Sequence, residues 1–495
     1  MDFIWNFPLF SIVLCLFCGV ISSILPRKTA KYLSWGLISC LILMSASVLY
    51  YTLVTGESFT YMMGHFPAPW GNEVRAGVLE GALALFFAVI MFLSIVAGDK
   101  YIEHEVPQSK QNLFYSLINL MMSSIMALVY TNDIFTAYVF IEINTIAACG
   151  LVMMKDNGKA LLASAKYLIM SLLGSGLLLL GITLLYDVTG HLLMPNIQSS
   201  VKEIVAIGQY RGALTTIIAL ISVALAIKSA LYPFHSWLPD AYAYATPSVS
   251  AISSGLVTKI YIVLLIKIFF RVIGWEVIVE YKITDILFAF GVTGMLMGSI
   301  NAIRQKNAKK MIAYSSIAQF GYIYMGLGLG NMAGVTASLF HIFMHSSAKA
   351  MLFVSLGGLM EVSEERVEWN GLKGSAYRNR LAGVAFTMGS LAMIGIPMFG
   401  GFISKILFGT AAVENQVGKM GITLIVLAIS TMLNAWYFFR AIICIYTPSS
   451  EKEKAKHFSL VYTIAMVAFI ALNLFFGTCS DIVIKGIQTG LAMFS

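Results

Sequence analysis

Among the ionisable residues inside long apolar stretches of this 495-residue chain, seven stand out: Glu142, Lys228, Lys259, His341, His345, Lys349 and Lys405. A charged side chain at the centre of a bilayer costs about 2.5–3.5 kcal/mol on insertion scales, so it usually turns inward and marks an ion or proton path. Glu142 sits eight residues into the apolar run 134–154, and Lys228 lies in the run 213–232. A salt bridge between them would compensate both charges. It reads either as a structural ion pair or as a switch that holds Lys228 charged when closed and releases its proton when open. Lys259 has no obvious carboxylate partner in the sequence, and a desolvated lysine drifts towards neutrality, as a relay site requires. His341, His345 and Lys349 recur every four residues, one helical face with about 6 Å per step, suited to a titratable wire. Two histidines at this spacing can hold a metal, but no third ligand type or H-E-x-x-H accompanies them, so no metal site is expected. Lys405, eight residues beyond Pro397, reads as the terminal site of the wire. Two residues are accessory. His235, just after Pro233, reads as a gate on the cytoplasmic side or as a hydrogen-bonded loop residue. Lys166 tunes the Glu142–Lys228 pair or snorkels, as Lys267 does near the end of its own run.

The elements that position these residues follow from composition. The chain is 59% hydrophobic and 11% charged, against roughly 25% charged in soluble domains. So few charges cannot coat a water-facing surface. Forty-one glycines and 11 prolines fit helical spans better than a barrel of alternating strands. Runs long enough to cross the bilayer occupy residues 3–25, 32–55, 78–97, 112–130, 134–154, 161–186, 213–232, 248–270, 283–303, 311–330, 333–360, 381–413, 421–439 and 458–479. The fold class is therefore an all-α polytopic membrane protein with about fourteen transmembrane helices. Assigning alternate loops to the cytoplasm collects nineteen Lys and Arg on that side and seven on the other, which puts both termini outside. The net charge of +8 thus reports topology, and no nucleic-acid partner is expected. The six cysteines fall in or beside apolar runs and read as small hydrophobes, the C-x-x-C at Cys15 and Cys18 included. No loop is long enough for a soluble catalytic domain. No phosphate-cradling loop, cluster ligand array or haem ligand set is visible, so the chain is expected to have no catalytic or cofactor-binding site of its own.

Proline interrupts two of the runs, Pro233 in the seventh and Pro397 in the twelfth. If spans four to eight and nine to thirteen form two units, each interrupted helix is the fourth of five. Lys166 and Lys349 then both fall in the third. An odd number of spans inverts one unit relative to the other, the plan of transporters with discontinuous helices near the midplane. The expected divisions are 1–111 for the first three spans, 112–270 and 283–439 for the repeats, and 440–495 for the last span and tail. Broken helices survive in lipid only where protein or trapped water satisfies the freed backbone.

Three stretches carry a resemblance: Lys228-Ser-Ala-Leu-Tyr-Pro-Phe-His-Ser-Trp-Leu-Pro-Asp240, Lys309-Lys-Met-Ile-Ala-Tyr-Ser-Ser-Ile-Ala-Gln319 and His341-x3-His345-x3-Lys349-Ala-x-Leu-Phe353. They resemble the proton-translocating antiporter-like family. It includes the large pumping subunits of respiratory complex I and the large subunits of Mrp-type cation/proton antiporters and of membrane-bound hydrogenases. The segment Gly64-His-Phe-Pro-Ala-Pro-Trp-Gly71 and the lysine at 405 are similar to the Mrp-type D subunit. The family commonly has glycine after the central lysine, where this chain has Ile260 and Tyr261, and its acidic residue of the third span is only loosely matched by Glu80. The resemblance implies Glu142 and Lys228 as coupling pair, Lys259 as relay, His341/His345 as connector and Lys405 as exit site. It implies an integral protein of a prokaryotic cytoplasmic (inner) membrane, working with other hydrophobic antiporter-complex subunits on protons and Na+. The rival branch is a redox-driven complex, complex I-like or hydrogenase-like. There the partners would include iron–sulfur, dehydrogenase or hydrogenase subunits.

Overall fold

In the computed structural model, residues 2–67, 71–414, 417–448 and 459–494 are described. Part of the Gly64–Gly71 segment and the cluster Lys452, Lys454 and Lys456 lie outside them. The chain is almost entirely helical, with one antiparallel hairpin, Phe59–Met62 against Glu73–Ala76. Among the described residues, eleven helices are long and apolar enough to cross a membrane: Phe3–Ile24, Arg27–Thr55, Val78–Ala97, Gln108–Tyr130, Ile134–Met153, Gly158–Thr189, Arg211–Lys228, Ile283–Ile303, Met332–Glu361, Gly418–Tyr446 and Leu460–Thr478. The three other expected spans are helical too, two of them with interruptions. The eighth runs from Pro247–Ile252 through a π-helical turn at Ser253–Val257, Thr258–Ile268 and a second π turn at Phe269–Ile273. The tenth, Ala308–Gly328, carries Lys309 and Lys310 in its first turn. The twelfth divides into Arg380–Ile394 and Gly400–Val413.

Both prolines mark breaks. The seventh span ends at Lys228, and the chain turns through 229–237 before a short helix at Leu238–Tyr244. Proline lacks the N–H that the ladder needs, and its ring obstructs the preceding turn. Lys228 is therefore the last residue of a half-helix, at the break itself.

Helix Met332–Glu361 is the centre of the molecule. It is the least apolar of the eleven, yet its most apolar stretch is wholly buried, whereas helices of the rim are about four-tenths buried. Lipid selects the apolar helices for the outside and leaves the polar one enclosed by protein. Beside it, spans nine and ten pack backbone to backbone. A Cβ at Gly298 would lie 2.5 Å from Ala318 N, and Gly291, Gly321 and Gly328 allow equally close approach. Such small-residue contacts replace the hydrophobic drive that lipid removes.

Candidate functional site

The site begins at the seventh-span break. Lys228 is fully buried, and its ammonium donates to Thr145 Oγ1 at 3.0 Å. Glu142 Oε1 stands 3.8 Å from the same nitrogen, beyond hydrogen-bond range. Glu142 and Thr145 are three residues apart on helix Ile134–Met153, so the fifth span presents carboxylate and hydroxyl side by side. Tyr261 completes the group. Its ring lies 5.7 Å from Lys228 Nζ, and its hydroxyl accepts from Asn144 Nδ2 at 3.2 Å and lies 3.5 Å from Thr145 Oγ1.

Lys259 follows on the eighth span. A π turn holds one more residue than an α turn and loosens the carbonyl ladder. The Lys259 ammonium uses this, donating to Ser254 O inside the π turn while lying 4.9 Å from the Phe320 ring centre. On the same ring, His345 stands edge-on at 5.7 Å. His345 and His341 stack at 5.7 Å, as their four-residue spacing predicted, and His341 stacks on Tyr322 at 5.5 Å. His341 Nδ1 lies 2.6 Å from Ser404 Oγ, next in sequence to Lys405. His341 Nε2 and both ring nitrogens of His345 are buried without a protein hydrogen-bond partner. Buried polar atoms of this kind are normally satisfied by protein or ordered water.

Lys405 folds back over the second break. Its ammonium donates to Ile394 O, at the end of the first half-helix, where unpaired carbonyls carry partial negative charge. Gly395 closes that half-helix at φ 87°, and a Cβ there would press to 3.0 Å on the lysine side chain. Lys349 hangs to one side, donating to Ile312 O at 3.0 Å and to the Ser315 hydroxyl, with the Phe438 ring at 5.7 Å.

The accessory residues are placed differently. Lys166, half exposed, pairs with Asp240 at 2.9 Å, and Lys310 shares that carboxylate at 2.9 Å. His235 lies half-buried in the first break, stacked on Tyr232 at 5.0 Å and edge-on to Tyr314 at 6.2 Å.

Residues 131–433 match the family model described as "NADH:quinone oxidoreductase/Mrp antiporter, TM". The chain belongs to this family. It is 32% identical over 443 residues to NADH-quinone oxidoreductase subunit N of Desulforudis audaxviator, covering 88% of this chain and 86% of the relative. It is 27% identical over 479 residues, 95% and 93% of the two chains, to the Staphylococcus aureus protein named "Putative antiporter subunit mnhD2". Its fold superposes on a chain of the Mrp complex from Dietzia sp. DQ12-45-1b with TM-score 0.88 at 21% identity, covering 99% and 97%. The antiporter-like chain is thus an integral membrane protein.

Several site residues were not visible as such in the sequence. Thr145 and Ser404 are ordinary helix hydroxyls, and only their spacing from Glu142 and Lys405 hints at a role. Lys309, counted among loop cations, is 1% exposed and donates to Ala245 O at 2.9 Å. Lys267 does not snorkel. It is 2% exposed and donates to Val129 O and Thr131 O at 2.7 and 2.6 Å, because the fourth helix ends against it and offers unpaired carbonyls. Arg75 and Glu80 form a buried pair at 2.6 Å, and Arg75 also donates to Ser58 Oγ at 3.0 Å and to Met493 O.

Proposed function

We propose that this antiporter-like chain is the proton-translocating membrane subunit of a multisubunit Mrp-type cation/proton antiporter. Protons would move along the axis Glu142, Lys228, Lys259, His345, His341 and Lys405, with Lys349 beside it. The observation that carries this reading is the set of mostly buried titratable side chains between the two helix breaks, with partnerless histidine nitrogens among them. In this reading Glu142 holds Lys228 charged when close. When it withdraws to Thr145-bridged distance, the lysine gives its proton to Lys259 and onward along the histidines to Lys405. The two five-span units, 112–270 and 283–439, would each contribute one broken helix. The basic-loop bias would place both termini outside.

Glu142 also argues for a partner. Its side chain is 24% exposed on a helix face shared with the exposed Phe135, Val139 and Ile146. A carboxylate facing hydrocarbon is costly, so a hydrophobic partner subunit would cover this face. Near full-length similarity to the Staphylococcus aureus relative, named a putative antiporter subunit, supports the antiporter reading. The relative of Desulforudis audaxviator, at 32% identity, supports a second reading, a proton-pumping subunit of a redox-driven complex.

The test is proton translocation by the assembled complex in vesicles carrying Glu142→Gln or Lys405→Ala, with membrane insertion checked by immunoblot. Both variants should insert and lose translocation; normal translocation in both would overturn the axis. Mass spectrometry of the complex purified from native membranes separates the two assemblies. Only hydrophobic companions support the antiporter, and cysteine-rich redox subunits support the pump.

A further inference from the structure

We propose that Glu105, Glu361 and Glu365 form a proton-collecting vestibule that feeds the axis through Lys309 and Lys349. This rests on the reading of the chain as a proton translocator. The vestibule is a cavity of about 550 Å³ on the side of the basic loops. Three segments build it. Helix Asp99–Glu105 brings Lys100, Tyr101, His104 and Glu105. The turn after the fifth span brings Lys155, and the end of Met332–Glu361 with the turn that follows brings Glu361 and Glu365.

Each carboxylate is held differently. Lys155 donates to Glu105 Oε1 at 2.9 Å, while Glu105 Oε2, on a side chain only 9% exposed, is buried with no hydrogen-bond partner. A buried carboxylate oxygen without a donor costs free energy that a proton would relieve. Glu361 accepts from Lys100, and the Tyr101 hydroxyl lies 3.5 Å from its other oxygen. Glu365 stands at the rim. Partial burial and the carboxylates of Glu105 and Glu361 hold it above the usual carboxylate range, against the pull of Lys155 and Lys309.

Lys309 links this group to the axis. It is buried at the start of the tenth span, close enough for its charge to act on Glu365. Three residues further on, about 4.5 Å along the helix, the Ile312 carbonyl accepts from Lys349. Lys309, charged at rest, gives its proton to the neutral amine of Lys349. Glu365 takes a proton from hydronium, releasing water, and as a carboxylic acid passes it to the Lys309 amine. The Glu365 carboxylate and the Lys309 ammonium are then restored.

The experiment compares initial proton-translocation rates of the assembled complex in oriented vesicles at about pH 6 and about pH 8.5. Collecting groups matter most where protons are scarce. In Glu105→Gln/Glu365→Gln the ratio of the rate at low pH to that at high pH should rise about tenfold over wild type, within the range that positioned proton-transfer groups contribute. An unchanged ratio overturns the vestibule. So does a uniform loss at both pH values, which would mean a structural role. If the double variant fails to assemble, Glu365→Gln alone, changed at an exposed rim position, carries the same test. Difference infrared spectroscopy gives a second readout. On acidification, a carboxyl band that appears at a pH above the usual carboxylate range should be present in wild type and absent in Glu365→Gln, and its persistence overturns the proposal. Glu142→Gln run in parallel distinguishes the failures. Normal translocation there sinks the translocator reading itself, whereas loss there with a wild-type ratio in the vestibule variants sinks only the vestibule.

Discussion

Thr145 supplies the acceptor nearest to the Lys228 ammonium, and replacing it with valine isolates that contact. The hydroxyl accepts at 3.0 Å, whereas the Glu142 carboxylate waits at 3.8 Å. Valine keeps the shape and removes the acceptor. A hydrogen bond to a charged group contributes about 1.5–3 kcal/mol, and every 1.36 kcal/mol is tenfold in an equilibrium or rate constant. With no other hydrogen-bond partner for its Nζ among the described residues, Lys228 in Thr145→Val has two outcomes: it closes on Glu142 or holds its proton less well. Either change unbalances the step to Lys259, so initial translocation rates in vesicles should fall about ten- to a hundredfold. Thr145→Ser, which keeps the hydroxyl, should recover most of the rate. The assay is acid-quenched dye fluorescence on vesicles holding equal amounts of assembled complex. Wild-type rates in Thr145→Val, or equal loss in serine and valine variants, would refute the argument. The first would show that the hydroxyl carries none of the energy, the second that packing rather than hydrogen bonding is at stake.

Two further expectations concern other charges. Glu80→Gln leaves Arg75 buried beside a neutral group, and breaking a buried ion pair from one side costs about 3–5 kcal/mol. The complex should therefore lose its assembled form at a lower temperature in detergent, as followed by size-exclusion chromatography after heating. An unchanged melting midpoint would deny the pair a structural role. Lys166→Met should alter translocation less than about fivefold, because this half-exposed lysine pairs with Asp240, and exposed pairs contribute about 0.2–1 kcal/mol. Loss as deep as that of Glu142→Gln would place Lys166 in the coupling pair after all.

Much of the interior charge was legible because charge is rare in a chain that is 59% hydrophobic. Lysine, glutamate and histidine inside apolar runs stand out against that background, and the cost of placing them in lipid ties them to the interior. The four-residue spacing of His341 and His345 likewise translated directly into stacked rings, since helical geometry is local. Proline located both breaks for an equally local reason, its missing N–H.

What a residue meets across the molecule depends on which helices pack together, and that only the tertiary structure decided. Lys166 and Lys228 look alike in sequence, yet one reaches Asp240 at the surface and the other lies enclosed against Thr145 and Glu142. Lys267 and Lys309 read as cations near water because apolar runs end beside them. Other helices end against them instead, and their carbonyls take up the ammonium groups. Hydroxyls such as Thr145 and Ser404 left no trace in composition, since serine and threonine are tolerated throughout membrane helices. The sequence by itself determined which charges interrupt the apolar runs and where the helices break, because desolvation cost and backbone chemistry act residue by residue. The partners of those charges, and the vestibule that three distant carboxylates line, exist only once the helices are packed, because hydrogen bonds and charge pairs act over a few ångströms of space rather than along the chain.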